Sequence, residues 1–232
     1  PTIGHDLGAS PAATIWVVNA YQFAVTVSLL PLAFLGDIMG YKRIYMGGVL
    51  VFSIASLGCA TANTLPLLVL ARVVQGLGGA GIMSVNTALI RFIFPRAQLG
   101  RGLGFNALMV ATFSALGPSI AAGILSVASW HWLFAINVPL RIVPLCLAAR
   151  ELPMTPLAGH RFDILSALMN GVTIGLVIIA VDGLGRGAGR VEAAELLVAA
   201  LVGTVFIYRQ LKRAVPLLPV ESFRRPVFAL SV

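Results

Sequence analysis

Residues Gly102–Leu140 read GLGFNALMVATFSALGPSIAAGILSVASWHWLFAINVPL, 39 positions without one Asp, Glu, Lys or Arg. A helix needs about 20 mostly apolar residues to cross ~30 Å of hydrocarbon, so this block holds two crossings, divided at the turn around Ser129–His131. Working outward, charge-free blocks also cover Ala13–Leu35, Ile44–Ala71, Val73–Ile90 and Ile164–Val181. Splitting them at turn and charge signals predicts seven spans, 13–35, 44–62, 65–90, 102–128, 132–149, 164–181 and 191–208, with an eighth starting near Val227.

The composition leaves no soluble alternative. The 232 residues are 59% hydrophobic and 10% charged, where soluble domains carry roughly 25% charged residues. Only helices and closed barrels satisfy their backbone polar groups in lipid, and the ~10-residue alternation of a barrel strand is absent. The expected fold is all-α, a polytopic transmembrane helical bundle in contact with the lipid bilayer. A secretory signal does not account for the blocks, which recur along the whole chain rather than forming one ~7–15-residue core before a cleavage site. The chain begins with Pro1 rather than Met and reads as a fragment of a longer protein.

Charge gives the orientation. Of the 16 Lys and Arg, twelve fall in alternate connectors: Lys42, Arg43, Arg91, Arg96, Arg101, Arg150, Arg161, Arg209, Lys212, Arg213, Arg224 and Arg225. The opposite connectors hold Arg186 and Arg190. Cytoplasmic loops carry the excess of Lys and Arg, so the basic connectors are cytoplasmic and residues 1–12 external. An external start fits a further helix preceding Pro1. The net charge of +8 is thus a topology signal and not a nucleic-acid face. Trp16, Trp130 and Trp132 lie near outer span ends, where interfacial anchors are expected.

Chemistry-bearing residues are few. Arg72 lies inside the third span, and residues four apart share a helix face, so Arg72, Gly76, Ala80 and Ser84 form one stripe. An intramembrane charge faces a bundle interior or water, which points Arg72 toward a polar centre; the alternative is an outward snorkel. Gly76–Gly81 matches a dinucleotide fingerprint literally but lacks the preceding strand and the following acid. His5, His131 and His160 lack metal-site spacing and no nucleophile stands beside a base, so no catalytic residue, metal or cofactor is expected. Cys59 and Cys146 sit in apolar blocks as small hydrophobes. Asp163 reads as a helix N-cap, and Glu192 and Glu195 as first-turn acids favoured by the helix dipole. Asn19, Gln22 and Thr26 share one face of the first span, as do Asn106, Met109, Phe113 and Gly117 of the fourth. They suit a cavity for apolar or cationic organic molecules, or else hydrogen bonds between helices.

The loop Gly36-Asp37-Ile38-Met39-Gly40-Tyr41-Lys42-Arg43 resembles the first signature of the major facilitator superfamily, and the segment around Arg72 and Gln75 resembles its second. Gly117-Pro118 with Ser119, Ala121, Ala122 and Gly123 resembles the third, associated there with antiporters. Ser129–Trp132 and Ile136–Pro139 resemble a block of the fourteen-helix drug:proton antiporter branch, in which two extra helices separate the six-helix halves. The resemblance implies three regions: 1–150, a first half without its first helix; 151–215, the two linking helices; and 216–232, the start of a second half. It also implies a gating loop of Gly36, Asp37, Gly40, Lys42 and Arg43, proton coupling by Arg72 and Gln75, and helix contacts through Gly76, Ala80, Gly117 and Pro118. The implied activity is export of small organic or cationic compounds from a bacterial inner membrane, energised by a proton gradient and needing the remainder of the protein's own chain. A proton-linked uptake symporter, a membrane sensor and a membrane-embedded enzyme stand as alternatives. Arg141, in the fifth span beside Pro139 and Pro144, either faces a watery cavity, or pairs outside this chain, or is a peculiarity of this copy.

Overall fold

A computed structural model describes residues 2–159, 162–184 and 189–212. Among these residues there is no strand. The helices are α1 (Thr2–Asp6), α2 (Pro11–Met39), α3 (Tyr41–Ala60), α4 (Leu65–Ile93), α5 (Leu99–Val127), α6 (His131–Ala135), α7 (Asn137–Glu151), α8 (Ile164–Leu184) and α9 (Arg190–Leu211). Among the described residues seven stretches are long and apolar enough to cross a membrane, α6 and α7 together making one of them. The expected eighth span near Val227, and with it 216–232, lies outside the described residues, as do His160, Arg161, Arg186, Arg213, Arg224 and Arg225.

The helix ends differ from expectation where a single residue does the turning. The first two spans were expected to be joined by an eight-residue loop. Instead α2 runs to Met39, α3 starts at Tyr41, and only Gly40 intervenes, at φ +94°, a conformation open to glycine. The fifth span is broken after Ala135, because Pro139 cannot donate to the Ala135 carbonyl. Ser10 caps α2 by accepting the Ala13 N–H at 3.2 Å, with Pro11 in the first turn, a favoured arrangement.

Packing centres on α4, which lies against α2 on one side and α3 on the other. Lipid tails are as apolar as leucine, so helices associate through close contact rather than hydrophobicity, and here glycine supplies it. A Cβ at Gly76 would sit 2.7 Å from the Tyr21 carbonyl oxygen of α2, and one at Gly78 would sit 2.5 Å from the Phe52 nitrogen of α3. The small residues of the rejected nucleotide fingerprint are therefore a two-sided helix seam.

Contacts gather the basic connectors at one end. The Tyr41 ring meets Phe92 at the end of α4, Lys42 reaches the end of α7, and Asp163 before α8 pairs with Arg209 of α9. At the other end Val17, Cys59, Ala62, Leu68 and Trp130 form a buried cluster. Trp130 is a core residue and not the expected interfacial anchor: it is 1% exposed and its indole N–H donates to Asp6 Oδ2 at 3.1 Å. Trp16 and Trp132 are exposed.

Proline also positions α8. Pro31 has no N–H to offer the Val27 carbonyl one turn earlier. The buried Asn170 side chain of α8 donates to that carbonyl at 3.3 Å, and Gly171 and Gly175 bring α8 close to Val27 and Phe23.

Candidate functional site

Arg72 points inward. Its Nε donates to the Val17 carbonyl at 2.8 Å, its Nη1 donates to Gln75 Oε1 at 2.6 Å, and its guanidinium lies 4.3 Å from the Tyr21 ring centroid. Gln75 is buried and passes the network on, donating to Ser56 Oγ at 2.7 Å, while Ser56 donates to the Phe52 carbonyl at 2.7 Å. The polar centre expected around Arg72 thus joins α2, α3 and α4. Among the described residues Arg72 has no carboxylate partner. Along the same stripe Gly76 and Ala80 are buried in the seam, and Ser84 turns its hydroxyl back to the Gly81 carbonyl.

A second intramembrane cation sits close by. Arg141 of α7 lies 3.7 Å from the Phe52 ring centroid, and Phe52 meets Tyr21 edge-on. Two arginines therefore bracket one aromatic pair, a stabilising arrangement for desolvated guanidinium groups. Sequence reasoning sought a charged partner for Arg141 and missed the aromatic one; Phe52 lies in an apolar block that gives no local sign of it.

The residues expected to form a gating loop share a compact corner. A Cβ at Gly36 would meet the Val85 and Tyr41 side chains at 2.8 and 2.9 Å, and Gly40 makes the turn. The Asp37 carboxylate accepts from the Tyr41 hydroxyl, and its carbonyl accepts the Ala158 N–H at 2.8 Å. Lys42 Nζ donates to the carbonyls of Ala149 and Leu152, both at 2.8 Å, at the end of α7. The buried Thr155 hydroxyl accepts the Tyr41 N–H at 3.1 Å. Residues 152–158 thus strap the corner from outside, a role with no motif to announce it. Arg43 is exposed and, among the described residues, its guanidinium has no hydrogen-bond partner.

The expected cavity residues fall into two groups. Asn19, Gln22 and Thr26 line a crevice of about 650 Å³ with Trp16, the outer half of α8 and Glu195 of α9. Glu195 is the acid sequence reasoning missed there, its position at the start of α9 having pointed to the helix dipole. Asn106, Met109 and Phe113 lie apart on α5, where Asn106 accepts from the Asn86 side chain of α4 at 3.0 Å. Gly117 and Pro118 are exposed, and a Cβ at Gly117 would meet nothing within 4 Å, so the described residues bring no helix to them.

Residues 1–229 match the profile described as the Major Facilitator Superfamily. The chain belongs to that superfamily. It is 56% identical to the uncharacterized transporter YebQ of Escherichia coli over 235 residues, all of this chain and 51% of that protein. It is 34% identical to the uncharacterized MFS-type transporter Rv1250 of Mycobacterium tuberculosis and 32% identical to the putative multidrug resistance protein MdtD of Salmonella typhi, again over its whole length and over 40% and 50% of theirs. The chain spans about half the length of the curated relatives it matches. Its membrane-length helices and bacterial relatives make it a multi-pass protein of the bacterial inner membrane.

Proposed function

We propose that this chain is part of a proton-coupled exporter of small organic or cationic compounds, with residues 1–150 contributing to one transporter half and 151–215 linking it to another that begins around 216. The observation that carries the reading is Arg72, an inward guanidinium held by a backbone carbonyl, an amide and an aromatic ring instead of an acid. Such a cation lowers the proton affinity of any carboxylate that approaches it, which is what a coupling residue must do. Gln75 fixes its direction. A proton gradient is the energy source and no cofactor is required.

Alternating access rocks one half against the other around a midplane site. The corner at Gly36, Asp37, Gly40, Lys42 and Arg43 lies where the cytoplasmic gate would be. The crevice at Asn19, Gln22 and Thr26 carries amides, an aromatic rim and the Glu195 carboxylate, a lining suited to organic cations. Asn106, Met109 and Phe113 offer α5 as a second wall, and Gly117 and Pro118 are open to a helix from the remainder of the chain. The multidrug resistance name of MdtD points the same way.

The test uses inverted membrane vesicles carrying the protein expressed from its complete reading frame. With an inside-acid pH gradient imposed, some members of a panel of cationic and neutral amphiphiles should discharge the gradient, and Arg72→Ala at equal abundance should reduce the discharge at least tenfold. Undiminished discharge by Arg72→Ala would remove the coupling role, and no discharge by any compound would remove the export reading.

A further inference from the structure

A cavity of about 940 Å³ between α2, α3, α4 and α8 shares only Arg43 with the residues named in the transport scheme above. Its floor is deepened by Gly47, Gly48, Gly78 and Gly81, and its lining is apolar except for Ser28 and, at one end, Arg43.

The depth of this groove is informative. On α2 it runs from Phe23, beside the centre of the apolar block Ala13–Leu35, to Met39 at the basic end. On α3 it takes only the first half, Ile44 to Val51, and on α4 only the segment from Leu77 to Gly81, at the helix middle. Sixteen residues from Phe23 to Met39, at 1.5 Å each, make about 24 Å, close to half of the ~40–45 Å total bilayer thickness. On these three helices the groove ends near the membrane middle, whereas on α8 it runs from Ala167 to Ile179, into the outer half of that helix.

We propose that the groove holds an acyl chain of an anionic phospholipid from the cytoplasmic leaflet, with the phosphate against Arg43. A transmembrane helix would continue into the outer leaflet, where on α2, α3 and α4 the groove does not follow. Charge separates the two adjacent cations: Lys42 is committed to the end of α7, whereas Arg43 is exposed at the mouth of the groove. Basic pockets between helices on the cytoplasmic side attract anionic headgroups at about 1 kcal/mol per cation, roughly fivefold in affinity.

The test titrates the delipidated protein, expressed from its complete reading frame, with dioleoyl-phosphatidylglycerol or dioleoyl-phosphatidylcholine and counts retained lipids by native mass spectrometry. One phosphatidylglycerol should be retained in preference to phosphatidylcholine. Arg43→Gln should weaken phosphatidylglycerol about fivefold and leave phosphatidylcholine unchanged. A Cβ at Gly47 would meet nothing within 4 Å, so Gly47→Leu projects into the groove without a backbone clash and should abolish the retained lipid. Gly104→Leu, at an equally open position on α5, should keep it. Equal retention of the two lipids, or undiminished phosphatidylglycerol in Gly47→Leu, overturns the proposal. Should Gly47→Leu fail to accumulate, the Arg43→Gln titration decides, and an unchanged affinity there overturns it. Neither readout involves transport, so this inference stands or falls apart from the function proposed above.

Discussion

Helices α4 and α5 have the same length, 29 residues, and both are rich in glycine, yet ten residues of α4 are buried and only Gly102 of α5. Apolarity does not separate them. In α4, Gly76 and Gly79 face α2 while Gly78 and Gly81 face α3, so the helix is thin on two sides and sits between two neighbours. In α5, Gly100, Gly104, Gly117 and Gly123 have open space where a Cβ would be. In a solvent as apolar as the side chains, what assembles helices is how closely their backbones approach, and glycine matters only where a neighbour's backbone occupies the space.

The sharpest way to break this comparison is to add the same atoms to both helices. Gly78→Val places a Cβ 2.5 Å from the Phe52 nitrogen and 2.8 Å from the Gly48 carbonyl oxygen, backbone atoms that cannot rotate away. Overpacking usually costs about 1–3 kcal/mol, and a backbone clash belongs at or above the upper end. Gly123→Val meets nothing and should stay within about 0.5 kcal/mol. Thermal unfolding in detergent separates the two, and similar losses would show that the seam is not what holds the bundle.

The spans were legible in the sequence because hydrocarbon thickness imposes a length that composition can meet or fail to meet. Arg72 was legible for a related reason: a charge inside a span has few places to point. Tertiary partners were not legible. The Arg141–Phe52 stack pairs a cation with an aromatic residue that looks like any other in its apolar block, and the Thr155 cap on α3 comes from 114 positions away. The docking of α8 combines Pro31, which reads locally as a helix irregularity, with Asn170, whose acceptor is 143 positions distant.

That docking is the next test, since it attaches a helix through one freed carbonyl instead of a glycine seam. Asn170→Ala leaves the Val27 carbonyl without a donor and should cost about 1–2 kcal/mol, less than the clash at Gly78. Pro31→Ala restores a donor from within α2, so in that background the same substitution should cost less than half as much. A double-mutant cycle by thermal unfolding measures the difference. Equal costs in the two backgrounds would mean that Asn170 acts by packing alone.

The smallest effect concerns the cytoplasmic end of the same helix. The Asp163 carboxylate accepts the Ser166 N–H at 3.2 Å and the Ser166 hydroxyl at 2.7 Å, and Arg209 of α9 donates to both its oxygens at 3.2 and 3.3 Å. The N-cap expected at Asp163 is therefore also a clamp between α8 and α9. Partial burial pushes the carboxyl pKa up, but the bonds from Ser166 and the Arg209 charge outweigh it and hold the value below the ordinary one. A depressed pKa gives stability that is fully present above the ordinary carboxylate value near 4 and disappears as pH falls through the lower folded value. Because Arg209 remains 31% exposed, solvent screening limits the clamp to about 1 kcal/mol. Asp163→Asn should lower stability by that amount at pH 7 and flatten the corresponding acid-limb loss. Arg209→Gln should raise the pH at which the loss occurs, by removing the charge while the Ser166 bonds remain. An acid limb unchanged in both variants would leave the α8–α9 pair resting on close approach, such as Gly203 against Thr173, and would align it with α4 after all.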